Sequence, residues 1–258
     1  MNYFLALLAG AIQGLTEFLP VSSTGHLIIF EKLFNISQVQ FGLAFDASLH
    51  LGTLLAVILF FYRDYLKVLN LKNNLLIKLA VGTIPAALFG LLFEKKIETS
   101  IRELWIIGVA MIAFSGVMVL AEIVGRKNKE RQVGIVNSFI IGLAQSIALI
   151  PGISRSGSTI SAGLFLGLTR EEAARFAFML SGPIIAGAGS KKFLEVLTSQ
   201  GLSSGDLTFF LTGITSSAIF GYLTIKYFLK YLSAHNLYPF IIYRVILGLI
   251  LIFTALNF

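Results

Sequence analysis

The sequence predicts an all-α polytopic membrane protein: two inverted-topology repeats, six transmembrane helices and two re-entrant helical hairpins. Three observations predict it. Of 258 residues, 56% are hydrophobic and 13% charged, and the mean hydropathy is +0.86; a globular chain is about half apolar and a quarter charged. Uncharged runs long enough to span recur at Leu104–Ala121, Gln132–Ser154 and Leu207–Ile225, where roughly 17 to 25 residues are needed. Finally, the two halves match at an offset of 131 to 135 residues, as internal repeats do.

The matches fall in the same order along both halves. GTIPAALFGLL from Gly82 meets GITSSAIFGYL from Gly213, and LAFDASLHLG from Leu43 meets FAFMLSGPII from Phe176. EFLPVSS lies on ALIPGIS, with Pro20 on Pro151, and WIIGVAMIAF lies on FIIYRVILGL. The whole chain, 1–258, reads as a single membrane domain with repeats of about 1–125 and 133–258. Each half begins with an interrupted segment, 3–30 and 134–168. Plain spans follow at 45–62, 78–93 and 104–123, then at 173–190, 207–226 and 239–257. If each interrupted segment enters and leaves on one side, three crossings per half turn the second half upside down.

Loop charges orient this arrangement. Loop 63–78 sums to +3 (Arg63, Lys67, Lys72, Lys78, Asp64), and 126–131 to +3 (Arg126, Lys127, Lys129, Arg131, Glu130). Lys226 and Lys230 give +2 in 226–235, whereas 94–103 and 191–206 sum to zero. The positive-inside rule makes the first set cytoplasmic and leaves both termini outside. The net charge of +7 therefore reads as an address rather than a nucleic-acid surface. MNYFLALLAG has no basic region before its apolar run, so it reads as part of the fold and not as a removable signal. The absence of cysteine excludes thiolate catalysis and disulfides, and three histidines are too few for a His-rich metal cage.

Non-helical backbone at membrane depth is tolerated only against protein or a polar cavity. Pro20 and Pro151-Gly152 break the two interrupted segments, which restart near Ser22–Thr24 and Ser154–Ser156. A restarted helix aims unpaired N–H groups at an anion. Gln13 and Glu17 share one helix face beside Gly10 and Gly14. His26 falls in the first turn of the restarted helix, able to give or take a proton. The second hairpin supplies Arg155, whose planar fork suits phosphate oxygens, among Ser154, Ser156, Ser158 and Thr159. One carboxylate, one histidine, one arginine and many hydroxyls point to phosphate chemistry.

Blander readings accompany these. Thr16, Ser22, Thr24, Ser156, Ser158 and Ser161, taken singly, can simply bond backbone. Glu17–Arg155 can be a structural ion pair. His50, one turn after Asp46, reads as a packing or entry residue, and Arg244 as a side chain snorkelling to the cytoplasmic end of the last span. Arg170-Glu171-Glu172 with Arg175 reads as a solvated first turn capped by Thr169.

QGLTEFLPVSSTGH (13–26) and PGISRSGST (151–159) resemble the motifs of the undecaprenyl pyrophosphate phosphatase, or bacitracin-resistance, family, and FDASLHLGTLLAV and the span spacing agree along the whole chain. The resemblance implies Glu17 as the essential acid, Gln13 as the Gln variant of a first acidic position, then Ser23 and His26, and Ser154, Arg155 and Thr159 in the second motif. It implies release of inorganic phosphate from a C55 polyprenyl diphosphate with a divalent cation, Mg²⁺ or Ca²⁺. Gln13 departs from the acidic form of the motif, since an amide brings no second negative charge.

The expected catalytic set is therefore Glu17, His26, Ser23 and Arg155. The expected substrate-binding set is Ser154, Thr159, Ser156, Ser22, Thr24 and Gly152, and one cation sits on Glu17 and Gln13. The nucleophile is Ser23 or a water activated by Glu17, with the reading leaning to Ser23. The expected partners are the polyprenyl diphosphate lipid and the bilayer of the plasma (inner) membrane, with the site opening to the outer face, no nucleic acid, and a homodimer left open. A polyprenyl-phosphate flippase or secondary transporter using the same inverted-repeat site is the alternative. A second lipid-phosphatase type fails, because position 161, six after Arg155, is serine.

Overall fold

The computed structural model describes residues 3–34, 43–66, 74–100, 103–127, 132–199 and 204–257. Lys67, Lys72, Lys129, Glu130 and Arg131, which carry much of the predicted loop charge, lie outside the described residues. The first half contains α1 (Tyr3–Phe18), α2 (Ser23–Leu33), α3 (Leu43–Phe60), the short α4 (Tyr62–Leu66), α5 (Leu75–Ser100) and α6 (Leu104–Gly125). The second contains α7 (Ile135–Ile147), α8 (Arg155–Phe165), α9 (Arg170–Ser199), α10 (Ser204–Leu232) and α11 (Tyr238–Asn257). Broken segments at 3–33 and 135–165 are each followed by three long helices, the order the sequence predicts.

Four described stretches are long and apolar enough to cross a membrane: Leu75–Phe93, Leu104–Gly125, Leu207–Leu232 and Tyr238–Asn257. This is a multi-pass helical membrane protein. α3 and α9 pack on each other and bury Ser48, Thr53 and Ser181. A helix shielded by protein need not be apolar all round.

Packing crosses between the halves. α1 lies against α10 and α7 against α5. Lipid tails are as apolar as leucine, so close approach has to come from small residues. A Cβ on Gly10 would collide with the carbonyl of Gly213, and one on Gly142 with the carbonyl of Gly82. Gly82 and Gly213 are the glycines that the repeat aligns, so Gly10 and Gly142 are structural counterparts 132 residues apart.

At one end of the bundle Glu122 is fully buried. It accepts Arg170 Nε at 2.9 and 3.0 Å and the Leu237 N–H at 2.9 Å, tying α6 to the starts of α9 and α11. Arg175 pairs with Asp64. The solvated first turn expected for α9 is therefore partly wrong: both arginines find carboxylates on other elements, which spacing within α9 cannot reveal. Its cap is as expected, with Thr169 Oγ1 accepting the Glu172 N–H at 3.3 Å.

Candidate active site

Both broken segments turn through the same kind of elbow. α1 stops at Phe18, two residues before Pro20, and α7 stops at Ile147, four before Pro151. Each returning helix starts behind a serine in left-handed backbone, Ser22 at φ 73° and Ser154 at φ 79°, where a residue other than glycine is uncommon. Ser22 Oγ accepts the Gly25 N–H at 3.4 Å, and Ser154 Oγ accepts the Gly157 N–H at 3.2 Å, both as helix N-caps. The elbows differ by one residue. Aligning Pro20 with Pro151 sets Ser22 on Ile153, whereas the caps pair Ser22 with Ser154, because Gly152 (φ 98°) and Ile153 both fill the second turn where Val21 stands alone in the first.

The first residues of the two returning helices, Ser23 and Arg155, reach one carboxylate. Ser23 Oγ donates to Glu17 Oε2 at 2.7 Å, and the Arg155 guanidinium pairs with Glu17 Oε1. Gln13, one turn earlier and fully buried, donates one amide N–H to Glu17 Oε2 at 2.9 Å and the other to His50 Nδ1 at 2.9 Å. Glu17 is 6% exposed. His50 Nδ1 lies 3.6 Å from Glu17 Oε2, so the packing or entry role expected of His50 is corrected: α3 against α1 carries it into the site. Its signal was its character, since an ionisable residue inside a membrane is functional by default.

His26 stands in the first turn of α2, as expected, with its ring turned to α11. A carbonyl oxygen only accepts, so His26 Nδ1–H donates to Ser22 O at 2.8 Å, and Nε2 accepts the Tyr243 hydroxyl at 2.6 Å. The hydroxyls of the second elbow serve mainly its backbone. Ser156 Oγ donates to Leu19 O at 2.8 Å, bracing the first elbow from the second, and Thr159 Oγ1 and Ser158 Oγ donate to Arg155 O at 2.7 and 3.0 Å. Ser154 Oγ lies 3.1 Å from Ser156 Oγ. Thr24 is half-buried and has no side-chain hydrogen bond among the described residues.

Glu17, Phe18, Arg155, Ser156, Thr159, Ala177, Phe178 and Ser181 line a small cavity, about 10 Å³ open to the centre of a water-sized sphere, which is room for about one water while Arg155 is paired with Glu17. Phe18 and Phe178 meet edge to face at 5.2 Å and form the apolar part of its wall. Ser181 was not anticipated, because nothing in α9 marks it.

Glu17 offers hard carboxylate oxygens, and Gln13, whose Nε2 faces Glu17, has its Oε1 buried with no hydrogen-bond partner among the described residues. With the amide turned over, the two side chains would offer their oxygens to one hard cation. Among the described residues there is no group of three acidic, histidine or cysteine side chains that could hold a metal ion.

Arg244 overturns its expected role. It is fully buried and does not reach an aqueous end; its guanidinium is spent on three backbone carbonyls and the Ser115 hydroxyl of other elements, which position along its own helix could not disclose.

The profile of the family described as bacitracin resistance protein BacA matches residues 6–250. The chain belongs to that family. Among its relatives, the undecaprenyl-diphosphatase of Rubrobacter xylanophilus is 45% identical over 93% of each chain. Undecaprenyl-diphosphatases of Chloroherpeton thalassium (41% identical, 98% of this chain and 96% of the relative) and Thermodesulfovibrio yellowstonii (42%, 96% and 95%) cover nearly everything. Both family motifs sit at the elbows, and the elbows face each other across Glu17.

Proposed function

We propose that this chain hydrolyses undecaprenyl diphosphate to the monophosphate and inorganic phosphate, recycling the lipid carrier for cell-wall polysaccharide synthesis and conferring resistance to bacitracin. The observation that carries the reading is Glu17, reached by a serine hydroxyl from one elbow and a guanidinium from the other, in a chain whose relatives are named undecaprenyl-diphosphatase. The flippase or transporter alternative is not supported, since those relatives are named for a phosphatase.

Phosphoryl transfer is mostly positioning and electrostatics. Arg155 moves from Glu17 onto the terminal phosphate and absorbs charge there. Glu17, freed of the Arg155 guanidinium, takes the Ser23 proton through Oε2, which lies 2.7 Å from Ser23 Oγ, the arrangement of an activated nucleophile. Ser23 Oγ bonds to the terminal phosphorus as the bridging P–O bond breaks, and the lipid phosphate leaves with a proton from Nε2 of His26, which enters the cycle as imidazolium and regains that proton from Glu17 once the phosphoserine is resolved. Water then cleaves the phosphoserine, restoring the Ser23 hydroxyl and releasing phosphate. Thr159 lines the phosphate cavity, while Ser22, Ser154, Ser156 and Gly152 shape the elbows and Thr24 stands open beside them. Gln13 Oε1 and Glu17 would hold one Mg²⁺ or Ca²⁺, which supplies Lewis-acid polarisation of the diphosphate.

The loop charges support a plasma-membrane protein with both termini outside, halves inverted, and the site opening to the outer face. Because the chain lacks cysteine, single cysteines at each terminus report the orientation by labelling with impermeant reagents; labelling only from the cytoplasm would reverse it. The central test is phosphate release by purified protein in detergent from polyprenyl diphosphates of several lengths, with and without chelator. No release from any of them would end the reading.

A further inference from the structure

Arg244 lies in α11, outside both motifs, and is 0% exposed. Its Nη2 donates to Gly152 O at 2.9 Å and Met111 O at 3.2 Å, Nη1 to Pro20 O at 3.3 Å, and Nε to Ser115 Oγ at 3.3 Å. Among the described residues no carboxylate pairs with it. A buried guanidinium inside a membrane protein is costly, and here its donors go to three carbonyls and one hydroxyl. Two of these belong to the elbows, each two residues before a cap: Pro20 precedes Ser22, and Gly152 precedes Ser154. The same stretches hold three positive-φ residues, Ser22, Gly152 and Ser154. Such backbone persists only where its surroundings over-determine it. Five donors in one planar fork can grip several carbonyls at fixed angles, and an ammonium cannot.

We infer that Arg244 is a positioning residue that fixes the two elbows relative to each other, and so fixes the spacing of Ser23 and Arg155 about Glu17. Met111 and Ser115 on α6 aim the fork, and its two inward arms hold one elbow each. Ser23 and Arg155 directly follow the capped serines, so slippage of either elbow moves a reacting group. Misplacement by about 1 Å costs on the order of 100-fold in rate.

The kinetic arm of the test rests on the proposed phosphatase reading; the exchange arm does not. Arg244→Lys keeps the charge and loses the fork. Its kcat on polyprenyl diphosphate is expected to fall about 100-fold with KM within about 3-fold, while melting temperature in detergent stays near that of the parent. Hydrogen–deuterium exchange should rise together at the Gly25 and Gly157 amides and stay unchanged in α9. Full kcat in Arg244→Lys, or faster exchange confined to α6 and α11, would overturn the inference, since charge or packing would then suffice. If Arg244→Lys does not fold, Ser115→Ala, which removes one aiming contact, decides on the same readouts: faster exchange at both elbows supports the inference and unchanged exchange refutes it. An inactive parent protein whose exchange responds as expected would sink the phosphatase reading and leave the positioning role standing.

Discussion

The two elbows share a scaffold and differ in chemistry. SSTG at 22–25 and SRSG at 154–157 cap their helices identically, and Gln13 and Gln145 stand at the same step after the matched Gly10 and Gly142. In the first elbow α1 runs on to present Glu17. In the second, α7 ends at Ile147 and position 149 is leucine. The consequence is visible in the glutamines: Gln13 bonds Glu17 and His50, whereas Gln145 is 2% exposed with both amide atoms unpartnered among the described residues. One half contributes the carboxylate, the Ser23 hydroxyl, Gln13 and His50; the other contributes the arginine. The two elbows thus share a frame but fill it with different side chains, which meet at one carboxylate.

The comparison breaks most severely at its shared carboxylate. Glu17→Gln is expected to lower kcat at least about 10³-fold with helix content by circular dichroism unchanged; substantial residual turnover would remove Glu17 from the chemistry. Ser23→Ala should lose a comparable factor and abolish acid-stable ³²P incorporation into the protein. If it retains near-full turnover, water is the nucleophile. Arg155→Lys keeps charge without the fork and should cost about 10²-fold.

Smaller effects sharpen the contrast. Gln13→Glu restores a second negative charge and is expected to lower the cation concentration for half-maximal activity by about tenfold, read from a metal titration after chelation. Gln145→Leu removes buried amide atoms that have no partner among the described residues, so it should leave kcat unchanged and raise stability by about 1 kcal/mol, measured by thermal unfolding in detergent. Gln13→Leu must not behave that way if the halves differ as described.

Much of this was legible in the sequence. Proline before a Ser-x-x-Gly cap marks an elbow by local chemistry alone, and an acid, a histidine and an arginine in apolar surroundings declare themselves. Contacts between distant elements were not legible. His50 meets Gln13 across 37 residues, and Arg244 meets Pro20 across 224, so spacing within a helix assigned one to packing and the other to the water interface. The extra residue in the second elbow stayed hidden because matching the prolines is locally the better alignment. Ser154 and Ser156 look like phosphate ligands in a string of letters, and only the folded backbone shows their hydroxyls already engaged.

The Glu122 clamp also has a metrical consequence. Leu237, whose amide it holds, lies seven residues before Arg244, which is two helical turns or about 10 Å of rise. α11 thus acts as a ruler with its zero mark at Glu122, and the depth at which the guanidinium meets the elbows is gauged from there. Glu122→Asp is therefore expected to shift the zero mark and to loosen both elbows from a distance, read as faster hydrogen–deuterium exchange at the Gly25 and Gly157 amides.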